Sequence, residues 1–153
     1  MSDARLQLHH AAQFAAALGI SYLRKQPDDS HTNLGWNQEL GALLSREIDG
    51  NAGALALGVR VEDLSLLVIR DKRAIEAIPL NGATNASATA VIRRVLASEG
   101  LDPERFTLAR HYDLPMHAVA SGSAYKVYND VAFRELAVWL GTLRSNWNAW
   151  RVP

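Results

Sequence analysis

Histidine and aspartate side chains cluster in two short polar segments of this chain of 153 residues. The first segment contains Asp29 and His31, and the second contains His111 and Asp113. An aspartate that accepts a hydrogen bond from one imidazole nitrogen fixes the tautomer and leaves the other nitrogen as a general base or metal ligand. In extended backbone, residues two positions apart point to the same side, so this spacing allows one such pair in each segment.

A further histidine, His10, lies on an otherwise apolar helix face. Apolar residues four positions before and after it direct its ring toward the core. A buried imidazole needs hydrogen-bond partners. A backbone carbonyl or the hydroxyl of Tyr22 would satisfy a structural histidine at this position. Alternatively, His10 forms one wall of a pocket that it shares with His31 and His111.

Two function hypotheses use these polar residues. The first is a small binding module whose polar pocket holds a small organic ligand. Its predicted lining residues are His10, Asp29, His31, Trp36, His111, Tyr112 and Asp113. The second is a metal-dependent hydrolase in which His10, His31 and His111 hold a transition metal such as zinc, with His117 as a further candidate ligand. Water bound to the metal would then attack an ester or amide.

The last helix supports a third hypothesis, a structural or protein-interaction homodimer without a catalytic site. Its apolar residues alternate intervals of three and four and form one seam: Phe133, Leu136, Leu140, Leu143, Trp147 and Trp150. Such a seam must be covered, either by the chain's own sheet or by a second subunit. Trp147 and Trp150 favour a dimer contact at the end of the helix, because aromatic anchors are enriched at interfaces.

Composition argues against several classes of partner. Sixteen basic and sixteen acidic residues cancel, so no general field attracts nucleic acid or a membrane surface. The chain has no cysteine, which excludes disulfides and thiolate ligands. No apolar run has the length of a membrane span, and the first residues lack the pattern of a signal peptide, so we expect a cytoplasmic protein. The length predicts one domain, residues 1–153.

The hydrophobic periodicity predicts an α+β fold, in which N-terminal, middle and C-terminal helices cover a mostly antiparallel sheet with a meander of three to four strands. The helices are predicted at residues 4–19, from about 86 to Gly100, and from 129 or 130 to about 150. The strands are predicted at residues 55–61, 64–70 and 74–80, with turns at 49–51 and 70–73. Residues 38–48 favour a strand, although their spacing also suits a helix, and residues 107–111 are predicted to be extended.

Overall fold

The computed structural model describes the backbone of residues 2–128 and 130–147, and the side chains of the last helix as far as residue 143. Three α-helices and six strands lie in this described part of the chain. In chain order they are α1 (Asp3–Tyr22), β1 (Gly35–Asn37), β2 (Ala42–Leu44), β3 (Ile48–Gly50), β4 (Gly53–Arg60), β5 (Ser65–Arg70), β6 (Arg73–Pro79), α2 (Asn85–Ser98) and α3 (Asp130–Trp147). Short 3-10 helices lie at Ser30–Thr32, Pro103–Arg105 and Ala118–Ser121.

The six strands form one antiparallel sheet in the order β1-β2-β4-β5-β6, and β3 pairs with β4. The predicted α+β fold is therefore confirmed. Strands β4, β5 and β6 form the expected meander, because alternating apolar residues and short turns favour antiparallel neighbours. The turn between β5 and β6 places Asp71 and Lys72 at φ values of 48° and 69°. Two consecutive positive φ angles match the right-handed twist of the paired strands.

The main hydrophobic core lies between one face of the sheet and the three helices. Alternate residues of β4, such as Leu55 and Leu57, face this core, and Ala56 belongs to a smaller cluster on the opposite face. The helices contribute buried side chains that include Phe14, Leu18, Ile92, Leu96 and Phe133. None of the helices in the described residues has the length and apolarity to cross a bilayer.

Residues 106–128 form a long connection, here called the strap, that runs beside α1 in the opposite direction. As far as His117, its hydrogen bonds with the helix are, in strap order, Thr107 with Ser21, Tyr112 with Gln13, Pro115 with His10, and His117 with Asp3. Lys126 then pairs with Gln7, four residues from Asp3. At its far end Tyr125 is fully buried, and its hydroxyl donates to Asn85 Oδ1 at 2.8 Å. Connections of this length with little regular structure are uncommon in compact folds and often have functional roles. The strap positions most of the polar residues considered below.

The prediction for residues 38–48 was only partly right. A turn occupies the first residues, and the strand is divided into β2 and β3, which pair with successive parts of β4. Ser45 lies at the division, where its hydroxyl accepts a hydrogen bond from Leu57 N at 3.0 Å. This side-chain bond replaces a ladder bond and interrupts the strand. Residues 107–111, predicted to be extended, form no strand of the sheet.

The prediction that Gly19 ends the first helix was wrong, because α1 continues to Tyr22. A Cβ atom built on Gly19 would lie 2.0 Å from the backbone oxygen of His31. Glycine at this position therefore allows the loop after α1 to approach the helix closely. It is not a helix terminator, and the sequence alone does not distinguish these two roles.

We predict that Gly19→Ala destabilises the protein, although alanine is the better helix former by about 1 kcal/mol. The methyl group must displace the His31 backbone, and overpacking of this kind costs about 1–3 kcal/mol. Urea denaturation followed by circular dichroism measures the change. Gly35→Ala is the matched control, since its added Cβ would meet no atom within 4 Å. Equal stability of the two variants would contradict the close approach.

Candidate functional site

The two polar clusters predicted from the sequence meet, but the pairing is between them and not within them. His111 Nε2 lies 2.9 Å from Asp29 Oδ2. Asp113 is exposed and makes no hydrogen bond or ion pair with any residue that the structure describes. The His111 and Asp29 side chains are 53% and 43% exposed, so the pair is accessible to solvent. Within the described residues, His111 Nδ1 has no hydrogen-bond partner, which leaves it available as a base.

Tyr112 extends this polar surface onto α1. Its hydroxyl donates to Gln13 Oε1 at 2.7 Å, and its ring stands edge-on to His111 with the centroids 5.2 Å apart. Burial raises the pKa of Tyr112, Arg110 opposes this rise and Asp29 adds to it. The phenol therefore stays protonated and keeps its role as a donor. Asp29, His111, Tyr112 and Gln13 thus join the strap both to the loop after α1 and to the helix itself.

His10 is satisfied by one of the structural partners expected for it, a backbone carbonyl. The ring is 5% exposed, and Nε2 donates to Pro115 O at 2.8 Å. A carbonyl only accepts, so Nε2 carries the proton. Burial lowers the pKa of His10, the Pro115 hydrogen bond partly offsets this, and the charges of Arg110 and His117 lower it further. His10 is neutral at neutral pH, and its ring centroid lies 6.0 Å from that of His117.

His31 lies away from His10. It is 6% exposed, and its Nδ1 accepts a hydrogen bond from Gln26 N at 3.2 Å. Its backbone packs against Gly19, which is nine residues, or about 13 Å of helix, beyond His10. The three predicted metal ligands His10, His31 and His111 are therefore not brought together. Among the residues that the structure describes, no three or more His, Asp or Glu side chains form a group that could hold a metal ion.

Trp36, the tryptophan proposed for the pocket, is half-buried in β1 against the main core, and its indole N–H donates to Gln38 Oε1 at 2.9 Å. Among the described residues, no hydrogen bond or ring contact joins it to a histidine. Trp150 and the side chain of Trp147 are outside the described residues, so the dimer contact predicted for them stays a prediction.

A cleft of about 370 Å³ lies between the first two turns of α1 and the second half of the strap. Side chains of both charges line it: Asp3, Gln7, His117, Ala118, Ser123, Ala124, Lys126 and Tyr128. None of these residues except His117 was a candidate from the sequence. His10 is adjacent to the cleft, because its ring contacts that of the lining residue His117. The cleft is a concave surface with several polar side chains.

Gln7 organises this cleft, although it is almost fully buried. Its amide nitrogen donates to Asp3 Oδ2 at 2.6 Å and to Lys126 O at 2.9 Å. Its amide oxygen accepts from Lys126 N at 2.8 Å. The side chain therefore pairs with the Lys126 backbone on both sides, as a neighbouring strand would. Gln7 therefore holds both the Asp3 carboxylate on α1 and the Lys126 backbone on the strap.

His117 fixes the same carboxylate from the strap. Val119 N donates to His117 Nδ1 at 3.2 Å, so in the neutral ring Nε2 carries the proton and donates to Asp3 Oδ1 at 2.9 Å. This hydrogen bond from His117 lowers the pKa of Asp3, partial burial opposes the effect, and the Gln7 hydrogen bond and the Lys126 charge lower it further. Asp3 is therefore an anion held by two donors, and both nitrogens of His117 are occupied.

One sequence signal could have located this cleft. Asp3, Gln7 and His10 follow intervals of four and three residues, so they form a polar stripe on one face of α1. Of these three residues, only His10 was a candidate from the sequence. Lys126 had no such signal, because Gln7 contacts it through its backbone and the two residues are 119 positions apart.

The outer face of α3 is a second surface feature. Phe133, Leu136 and Leu140 of the predicted seam pack against the main core, as the intramolecular interpretation expected. The helix also presents Val131, Val138 and Trp139 to solvent, at 50%, 70% and 50% exposure. Arg134, Glu135 and Thr142 complete a shallow depression on this face.

Comparisons with models of protein families, with curated proteins and with solved structures find no match to this chain.

We predict that His10→Gln, which keeps a donor for Pro115 O, changes the pH dependence of stability. The pKa of folded His10 is below its ordinary value of 6.5. The neutral ring therefore stabilises the protein above pH 6.5, and this contribution is lost as the pH falls below 6.5 toward the folded-state pKa. Unfolding free energies across this pH range should decline less steeply for the variant than for the wild type. Parallel curves for the wild type and the variant would refute the shift.

Proposed function

We propose that the protein binds a small polar organic ligand in the cleft between α1 and the strap. The observation that carries this proposal is that Asp3, whose carboxylate is fixed, and the cationic residue Lys126 line one concave surface. Ligand sites commonly have volumes of about 300–1,000 Å³ and a few positioned polar groups. The cleft, at about 370 Å³, is at the small end of that range.

The predicted pocket residues do not line the cleft, but several of them hold the strap that forms one of its walls. His10 bonds to Pro115, and Asp29, His111 and Tyr112 hold the first half of the strap. His117, considered above only as a metal ligand, both bonds to Asp3 and lines the cleft. The metal-dependent hydrolase has less support, because the histidines proposed as ligands are separated and the described residues contain no group of three or more His, Asp or Glu that could hold a metal ion.

We expect ligands from a fragment library to perturb the cleft in a two-dimensional NMR screen. The Gln7 side-chain amide and the Lys126 backbone amide are suitable probes, since their hydrogen bonds cross the floor of the site. Lys126→Met should weaken the binding of the hits by about tenfold through loss of a charged contact. Lys25→Met, at an exposed loop position, should leave binding unchanged. Hits that move resonances only outside the cleft, or no hits, would reject the proposal.

We propose, as a second candidate, that α3 mediates a homodimer. Its exposed apolar face favours burial, and two-fold symmetry would bring the same face of the helix from each copy into contact.

Val138→Glu should convert such a dimer to a monomer, since it places two like charges in an apolar contact. The wild-type residue is 70% exposed, so the substitution should leave the fold intact. Sedimentation equilibrium at micromolar concentrations measures the mass. Ile75→Glu is the control, because Ile75 is also exposed, at 48%, but lies on β6. A monomeric wild type, or a dimer that survives Val138→Glu, would contradict this assignment.

A further inference from the structure

The chemical class of the ligand follows from the charges that face the cleft, provided that the proposed ligand site is correct. Asp3 provides the negative side. Its side chain is 72% exposed although both oxygens accept hydrogen bonds, from Gln7 and from His117. Each carboxylate oxygen has two lone pairs, so each keeps the capacity to accept another donor. The carboxylate is therefore oriented by the protein and still open to a cationic group.

Lys126 provides the positive side. Gln7 fixes its backbone through two hydrogen bonds, and the residue is exposed and lines the cleft. In the described residues no salt bridge involves its ammonium group, and Nζ lies 5.7 Å from the ring centroid of Tyr128, which lines the same cleft. Asp3 and Lys126 thus line one cleft, and the Lys126 charge lowers the pKa of Asp3. They nevertheless form no direct ion pair.

Two opposite charges that share a cleft without pairing leave room for a molecule that pairs with both. We infer that the ligand is a small zwitterion, with an ammonium group for Asp3 and a carboxylate for Lys126 on one short carbon frame, as in an amino acid. Ala118 and Ala124 line the same cleft and leave space for a short apolar side chain. A purely anionic ligand would place its charge against Asp3, and a purely cationic one would leave Lys126 unpaired.

Three compounds of similar size separate these cases: L-2-aminobutyrate, butyrate without the ammonium group, and propylamine without the carboxylate. In NMR titrations at millimolar concentration, we expect the amino acid to shift the Gln7 side-chain and Lys126 backbone resonances. Butyrate and propylamine should bind at least about tenfold more weakly, because each loses one charge-assisted contact. Equal binding of butyrate or propylamine overturns the inference, as does the absence of shifts with all three compounds.

Variants test the two charges separately. Lys126→Met should reduce binding of the amino acid to the level of propylamine, and Asp3→Asn should reduce it to the level of butyrate. Asp113→Asn is the control for loss of a carboxylate, since Asp113 is exposed and outside the cleft. Retained binding in both cleft variants would overturn the inference. Fragment hits of other chemistry in the same cleft would uphold the proposed ligand site while rejecting a zwitterion, so the two failures are distinguishable.

Discussion

Two polar side chains on the buried face of α1, Gln7 and His10, impose the constraint on which the strap depends. A buried donor or acceptor left without a partner costs about 1–3 kcal/mol. Regular secondary structure cannot supply these partners, because the backbone groups of α1 are already paired within the helix. The strap supplies them instead, through the carbonyl of Pro115 and the backbone of Lys126. Its irregular path is thus dictated by hydrogen bonding to a helix and not by pairing with the sheet.

The same constraint determines the electrostatics of the cleft. Gln7 holds the Lys126 backbone and the Asp3 carboxylate at once, so satisfying a buried amide also brings two residues of opposite charge to one cleft. His117 completes the arrangement from the strap by donating to the other carboxylate oxygen. These donors stabilise the ionised form and lower the pKa of Asp3. The carboxylate thus keeps its charge well below neutral pH while most of its side chain stays exposed to solvent.

Elements that depend on a pattern of neighbouring residues could be predicted from the sequence. The meander of β4, β5 and β6 follows from alternating apolar residues, and α2 follows from its cap at Thr84 and its buried face. Features that depend on distant partners were not accessible. Glycine is typical of helix ends, but Gly19 instead allows the His31 backbone to approach the helix closely. His111 pairs with Asp29, 82 positions away, instead of with its near neighbour Asp113. The cleft belongs to this second group, because its walls come from opposite ends of the chain.

The strap is held on α1 partly by weak contacts, so a bound ligand can add to its stability. The His111–Asp29 pair is exposed, and such pairs contribute about 0–1 kcal/mol, so the strap around His111 is held by small increments. The strap is anchored more firmly toward its two ends, where Phe106 and Tyr125 are fully buried, and Tyr125 in the second half is also bonded to Asn85. A ligand that contacts both Asp3 and Lys126 adds a further link between α1 and this anchored half. Such a ligand binds best when the strap holds Lys126 beside Asp3. By linkage, its binding would stabilise the contact between the strap and α1 by the same free energy that this contact contributes to the affinity.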